Sequence, residues 1–227
     1  MPKLHRESNF SAMLIGLLIT LVIGPVLLEL NLYSGGIGIQ TVLAITLIVS
    51  IWSAIDSKLW FYGGIALALV NGAATVLDYV SPSFAGDVIG LCSTLLFCAL
   101  SIAFVVSRLL AMGSGFAITQ NHVIGAISIY LLLGIGFGVL NMLLEVLLPG
   151  SFRGLDPTGS GSSSIDLIYF SFVSMTTLGY GDIVPIRPLA QAVAYMGAVT
   201  GQFYIAILVA GLVGAFVSQG ITGRKSE

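Results

Sequence analysis

Six long apolar runs alternate with short polar breaks along the chain, at roughly residues 11–32, 37–55, 59–79, 86–110, 122–148 and 188–217. A helix needs about 20 apolar residues to cross the hydrocarbon core of a bilayer. The pattern therefore predicts an all-α membrane protein with six transmembrane helices. The first run follows Lys3 and Arg6 and so imitates a secretory signal. Its core is longer than a signal's apolar region, and its end, LLELNLYSGG, offers no small-x-small cleavage site, so it is expected to be retained. One stretch breaks the rule. Between the fifth and sixth runs, IDLIYFSFVSM is apolar but too short to span. It follows a Gly/Ser/Pro-rich loop, PGSFRGLDPTGSGSSS, and precedes SMTTLGYGDIVP. Ser163 with Asp166 three residues on resembles a capping box with Asp in the Glu role, which predicts a short helix over 164–175 entering the membrane from outside. The Gly-rich segment is its return path. Non-helical backbone at membrane depth is tolerated only within protein or beside a water-filled cavity. A re-entrant helix followed by such a strand implies an aqueous pathway.

Composition agrees with lipid as the solvent. The 227 residues are 57% hydrophobic and 8% charged, with a mean hydropathy of +1.06, whereas soluble domains carry about 25% charged residues. A net charge of −2 argues against nucleic acid as a partner. Cys92 and Cys98 lie six apart in one apolar run, on different helix faces, and read as buried apolar residues. The basic residues set orientation. Lys3, Arg6, Lys58, Arg108, Arg224 and Lys225 fall on one side if both termini share it, and Arg153 and Arg187 fall on the other. Both termini are therefore expected to be cytoplasmic in a multi-pass plasma-membrane protein. The expected divisions are an N-terminal tail over 1–10, a four-helix part over 11–110, a cytoplasmic linker over 111–121, a two-helix unit with its re-entrant loop over 122–217, and a C-terminal tail over 218–227. Neither tail can fold alone, so no regulatory domain is expected within the chain.

A dehydrated cation needs a shell of oxygens to replace its water. Backbone carbonyls supply them without fixed charge, provided that successive residues alternate between ordinary and left-handed dihedrals. Glycine accepts the left-handed conformation cheaply, and Gly179 and Gly181 stand at alternate positions of TTLGYGD. The Thr177 hydroxyl can add an oxygen at the inner end, and the Tyr180 ring can pack outward against surrounding helices. The preceding short helix would aim its partially negative C-terminal end at the ion's cavity.

This segment resembles the selectivity filter of potassium channels, whose pattern is TVGYG, with Leu178 in place of Val. The resemblance covers about residues 122–217. It implies potassium as the conducted ion, with no organic cofactor, coordinated by oxygens of Thr177, Leu178, Gly179 and Tyr180, with Gly181 completing the outward turn. It also implies a homotetramer in membrane lipid, since one loop supplies a quarter of each oxygen ring. Gly201 in the sixth run stands where potassium channels often place a hinge glycine. It also forms a G-x-x-x-G pair with Gly197 that suits close packing, and hinge and packing carry equal weight. Gln202 is expected to line the inner cavity, and Ile205, Val209 and Val213 to form an apolar constriction. Supports of the filter are expected from Tyr169, Phe170, Thr176, Asp182 and Glu145. The stretch YFSFVSM lacks the tryptophan and glutamate that many members place behind the filter, so Asp182 is expected to pair with Tyr169. Glu145 is expected to accept hydrogen bonds from the pore loop. Gly134, Gly136 and Gly138 read as close helix packing.

Four helices before such a unit resemble the layout of voltage-gated channels. There the fourth helix carries arginine at every third position; here it holds only Arg108, at the cytoplasmic end. Little or no voltage dependence is expected. The linker AMGSGFAITQNH is a poor lever. Glu29, Asn71, Asp78 and Asp87 read as a solvated rim near helix ends, or else as an external acidic cluster. His5 and His122 are each alone, without a second ligand at metal spacing. No Ser/His/Asp set, Cys/His set, nucleotide loop or metal cluster suggests an enzyme. The competing readings are a secondary cation transporter, disfavoured because no second half repeats the broken element, and a non-conducting accessory membrane subunit.

Overall fold

The computed structural model describes residues 10–30, 62, 65–73, 83–111, 120–155 and 162–223. Among these residues the bounded elements are, in chain order, α1 (Ser11–Glu29), α2 (Phe84–Ala111), α3 (Gln120–Leu147), β1 (Phe152–Arg153), α4 (Ser162–Met175), β2 (Val184–Pro185) and α5 (Pro188–Gly223). A helical stretch over 65–73 precedes α2. The second apolar run, 37–55, lies outside the described residues, as do most of the third run, Asp78 and the linker over 112–119. Among the described residues three helices are long and apolar enough to cross a membrane, Phe84–Leu109, Gln120–Leu147 and Pro188–Leu208, while the apolar cores of α1 and α4 are shorter. The chain is mostly helical, although β1 and β2 depart from a purely α reading. They pair antiparallel, Phe152 with Pro185 and Arg153 with Val184.

The central element is α3, which α1, α2, α4 and α5 all touch. Lipid tails are as apolar as leucine, so such a helix gains contact by close approach and polar bonds rather than by leaving water. Its glycines show how. A Cβ on Gly134 would collide with the Phe172 ring, and one on Gly138 would meet the Ile168 Cα at 2.9 Å. Gly134 and Gly138 are four apart, as are Ile168 and Phe172, so one glycine face of α3 seats one face of α4. Ser171 adds a buried bond, its hydroxyl donating to the Gly134 carbonyl at 2.8 Å. Gly136 faces α2 instead, where its nearest neighbour is the Cys98 Cβ at 3.8 Å.

Phe10, just before α1, and Met13 and Leu17 within it are fully buried. The Phe10 ring lies 3.2 Å from where a Cβ on Gly125 would stand, beside Val105. The cluster therefore joins α1, α2 and the start of α3. Asn71 is not part of a solvated rim. It is 1% exposed, and its amide donates to the hydroxyls of Ser93 at 3.1 Å and Thr94 at 2.7 Å. A polar side chain inside an apolar bundle must find partners there, and α2 supplies acceptors for the Asn71 amide. The cysteines do face apart, but Cys92 is exposed and only Cys98 is buried. The Arg108 guanidinium sits 5.5 Å over the Phe104 ring at the end of α2.

Candidate functional site

The site begins where α4 stops. The helix starts at Ser162, two residues before the predicted start, and ends at Met175 as expected. A helix end leaves carbonyls without partners, and here two backbone donors fold back onto them. Leu178 N–H bonds to the Val173 carbonyl at 3.0 Å, and Thr177 N–H bonds to the Ser174 carbonyl at 3.1 Å. These are the two bonds of a Schellman cap, in which the residue just past the helix takes a left-handed conformation. That residue is Thr177, at φ 60°. A β-branched residue seldom occupies this region. The alternation then continues, with Gly179 at φ 56° and Gly181 at φ 77°. The left-handed positions are thus 177, 179 and 181, and the sequence pattern pointed to the two glycines alone. A Cβ on Gly179 or Gly181 would meet nothing within 4 Å, so backbone conformation, not space, favours glycine there.

All residues from Thr176 to Asp182 are exposed in the single chain. Thr176 folds its hydroxyl back onto the Phe172 carbonyl at 2.8 Å. The Thr177 hydroxyl donates to the Thr176 carbonyl at 2.6 Å. Leu178 and Tyr180 present 53% and 66% of their surface. The Tyr180 ring stacks on Tyr169 of α4, with centroids 6.5 Å apart and planes 14° from parallel.

The outer end of the segment is tied to α4 and to the loop after α3. The Tyr169 hydroxyl donates to Asp182 Oδ2 at 2.7 Å, while Oδ1 accepts from the Ile183 N–H at 3.0 Å. The hydrogen bond from Tyr169 is the main cause holding the Asp182 carboxyl below the usual value of 3.8. Glu145 does not reach the filter segment itself. Its carboxylate accepts the backbone N–H groups of Gly150 at 2.7 Å, Ser151 at 2.9 Å and Phe152 at 3.2 Å. It thereby organises the loop that leads into β1. Across the strand pair, the Ile186 N–H bonds to the Ser151 carbonyl at 2.8 Å, and Arg187 donates to the Pro149 carbonyl at 2.9 Å. Phe152 meets Phe170 edge-on at 5.5 Å. Gly154, which sequence reasoning did not single out, stands at φ 94° against the Asp182 carbonyl, where a Cβ would collide. Its signal was a glycine in a loop already rich in glycine, which conceals the one that matters.

The inner end meets α5. A Cβ on Gly201 would lie 2.7 Å from the Met175 carbonyl oxygen, and Gly197 packs on the Phe137 ring. Close packing thus accounts for both glycines of the pair. Gln202 donates its amide to the Met175 carbonyl at 3.3 Å. Two residues farther along α5, the Tyr204 hydroxyl bonds to the Ala126 carbonyl at 2.6 Å and its ring stacks on Tyr130. Ile205 is 39% exposed. The side chains of Val209 and Val213 lie outside the described residues, although α5 itself continues past them. The described residues contain no cluster of three or more His, Cys, Asp or Glu placed to hold a metal. The oxygens on offer are backbone carbonyls and threonine hydroxyls.

Residues 141–218 match the family described as "Ion channel". The chain is 35% identical over 66 residues, 29% of its length, to a two pore potassium channel c of Oryza sativa subsp. japonica. It is 39% identical over 49 residues, 22% of its length, to a two-pore potassium channel 5 of Arabidopsis thaliana. It is 33% identical over 54 residues, 24% of its length, to a voltage-gated potassium channel of Aeropyrum pernix. These stretches span 14%, 12% and 18% of the relatives' own lengths. No solved structure matches. The matches lie in the part that holds the site and show similarity to ion channel and potassium channel sequences, and three described helices are long and apolar enough to cross a membrane.

Proposed function

We propose that the chain belongs to the potassium channel superfamily and is a potassium-selective channel of the six-helix type, four copies of which enclose one pore in the plasma membrane. The observation that carries the reading is the run of left-handed residues at 177, 179 and 181 in an exposed segment anchored at both ends. Alternating handedness turns successive carbonyls toward one side of a strand. Rings of such carbonyls replace the hydration shell of a potassium ion. Thr177, Leu178, Gly179 and Tyr180 supply the oxygens in this reading. Tyr169 and Asp182 tie the outer end of the strand to α4, Thr176 ties its base to the same helix, Phe170 and Glu145 steady the loop and β1 beside it, and Gly181 turns it outward. The potassium-channel names of the relatives agree with that ion.

A fourfold ring is supported by what one chain leaves uncovered. The last span is 11% buried, against 44% for α2 and 50% for α3. Its apolar residues Met196, Val199, Phe203 and Ile207 are exposed. They run along the side away from Gly197, Gly201 and Tyr204, which face α3 and α4. In the assembly this side faces the neighbouring copies and the cavity, with Gln202 and Ile205 toward the inner pore. The four-helix part over 11–110 surrounds this unit without acting as a strong voltage sensor, and both termini are cytoplasmic. Purified protein in detergent is expected to give a native mass of four copies. In potassium-loaded vesicles it is expected to drive rubidium uptake that sodium-loaded vesicles do not support. A monomeric mass, or uptake indifferent to the trapped ion, would refute the reading.

A further inference from the structure

The carbonyls at the end of α4 can be accounted for one by one. The Phe172 carbonyl accepts from the Thr176 N–H at 2.9 Å and from its hydroxyl. The Val173 carbonyl accepts from Leu178 at 3.0 Å and Gly179 at 3.3 Å. Ser174 accepts from Thr177 at 3.1 Å, and Thr176 accepts from the Thr177 hydroxyl at 2.6 Å. Each of these donors lies within the turn itself. The Met175 carbonyl, in the middle of the set, is the exception. Its donor is Gln202 Nε2, from α5, at 3.3 Å. The neighbouring Gly201 brings the α5 backbone so near the same oxygen that a Cβ would stand 2.7 Å from it. Two consecutive residues of α5 thus converge on one carbonyl at the base of the filter segment.

We infer that Gln202 is a positioning residue of the filter: its amide completes the C-terminal cap of α4 from the inner helix and so fixes the inner end of the strand that begins at Thr177. The inference rests on the channel reading, but it assigns Gln202 a task other than lining the cavity. Without the donor, the Met175 carbonyl is free to turn toward water in the cavity. The peptide units at Thr176 and Thr177, held by the same turn, then lose one side of their frame. Thr177 has most to lose, because it holds a left-handed conformation that its β-branched side chain disfavours. The bond is long for an N–H to carbonyl contact, so a modest effect is expected from each copy.

The test replaces Gln202 by Met, which keeps an unbranched chain of similar length and cannot donate, and by Asn, which keeps the amide and falls short of the carbonyl. Two quantities are read. The rubidium-to-potassium permeability ratio reports the spacing of the oxygen rings, and is expected to change by about threefold in Q202M and Q202N, in line with loss of one modest hydrogen bond. Amide hydrogen exchange at Leu178 and Gly179 is expected to quicken by about threefold or more. Wild-type ratio and wild-type exchange in either variant overturn the inference, since a residue that only lines the cavity moves neither. If Q202M fails to assemble, Q202N decides. Should wild-type protein itself pass sodium as readily as potassium, the channel reading fails, while exchange at Leu178 and Gly179 still tests the cap.

Discussion

At the scale of single residues, the site depends on backbone conformations that side chains oppose. A left-handed L-residue costs about 1–2 kcal/mol, and in a tetramer each such cost recurs four times. Gly179→Ala adds that cost at φ 56° without adding any clash, because open space surrounds the position. The expected outcome is normal assembly with loss of potassium-selective current, measured in planar bilayers beside a native mass determination. Unchanged selective current would remove Gly179 from the role assigned. Thr177 shows what the sequence concealed. Its left-handed conformation follows from the helix cap, where glycine is the usual occupant, and a threonine gives no sign of it. A second prediction concerns the outer mouth. The Tyr169 hydroxyl lowers the Asp182 carboxyl below 3.8. A carboxylate with a lowered value contributes above its unfolded value, and that contribution fades as pH falls through the lowered one. The pair's contribution to wild-type current is therefore expected to be full at neutral external pH and to fade only as pH falls through the lowered value. Tyr169→Phe, lacking the donor, is expected to move the midpoint of acid loss to higher pH. The measurement is current against external pH, and coincident curves for the two proteins would show that the bond does not govern this step.

At the scale of elements, α3 and α4 owe their fit to glycines whose exact roles only the packing distinguishes. From the sequence, Gly134, Gly136 and Gly138 looked equivalent. Alternation by two residues in a helix, however, turns successive members to different faces. Gly134 and Gly138 meet α4, while Gly136 meets α2 with room to spare. Gly138→Ala must push the Ile168 backbone away and is expected to destabilise by about 1–3 kcal/mol. Gly136→Ala, with its nearest neighbour at 3.8 Å, is expected to be neutral or stabilising by up to about 1 kcal/mol, since alanine favours helix. Thermal unfolding in detergent compares the two, and equal destabilisation would show that the two faces are wrongly assigned. The three described spans were legible because apolar runs have no other use at that length. The helix α4 was legible because it is apolar yet too short to span. The strand pair was not legible, since two-residue strands leave no period to read. Glu145 was legible as an acceptor, but its partners Gly150, Ser151 and Phe152 were not, because backbone donors in a loop carry no side-chain signature.

At the scale of the whole molecule, the proposed channel carries no ladder of charge in the helix where a voltage sensor would need one. Moving one elementary charge across the full field is worth about 2.3 kcal/mol per 100 mV. Arg108 is the single basic residue of α2 and lies in its last turn, where it crosses little of that field. Open probability is expected to vary weakly with voltage, and Arg108→Gln is expected to leave the slope nearly as it is. A steep curve in planar bilayers would show that gating charge resides in another element. The central claim, potassium selectivity through the segment Thr177–Gly181, is tested most directly by the reversal potential of wild-type protein in a planar bilayer with potassium on one side and sodium on the other. The account predicts a reversal potential displaced far toward the value at which potassium alone carries current. A reversal potential near zero, with both ions passing equally, would contradict it.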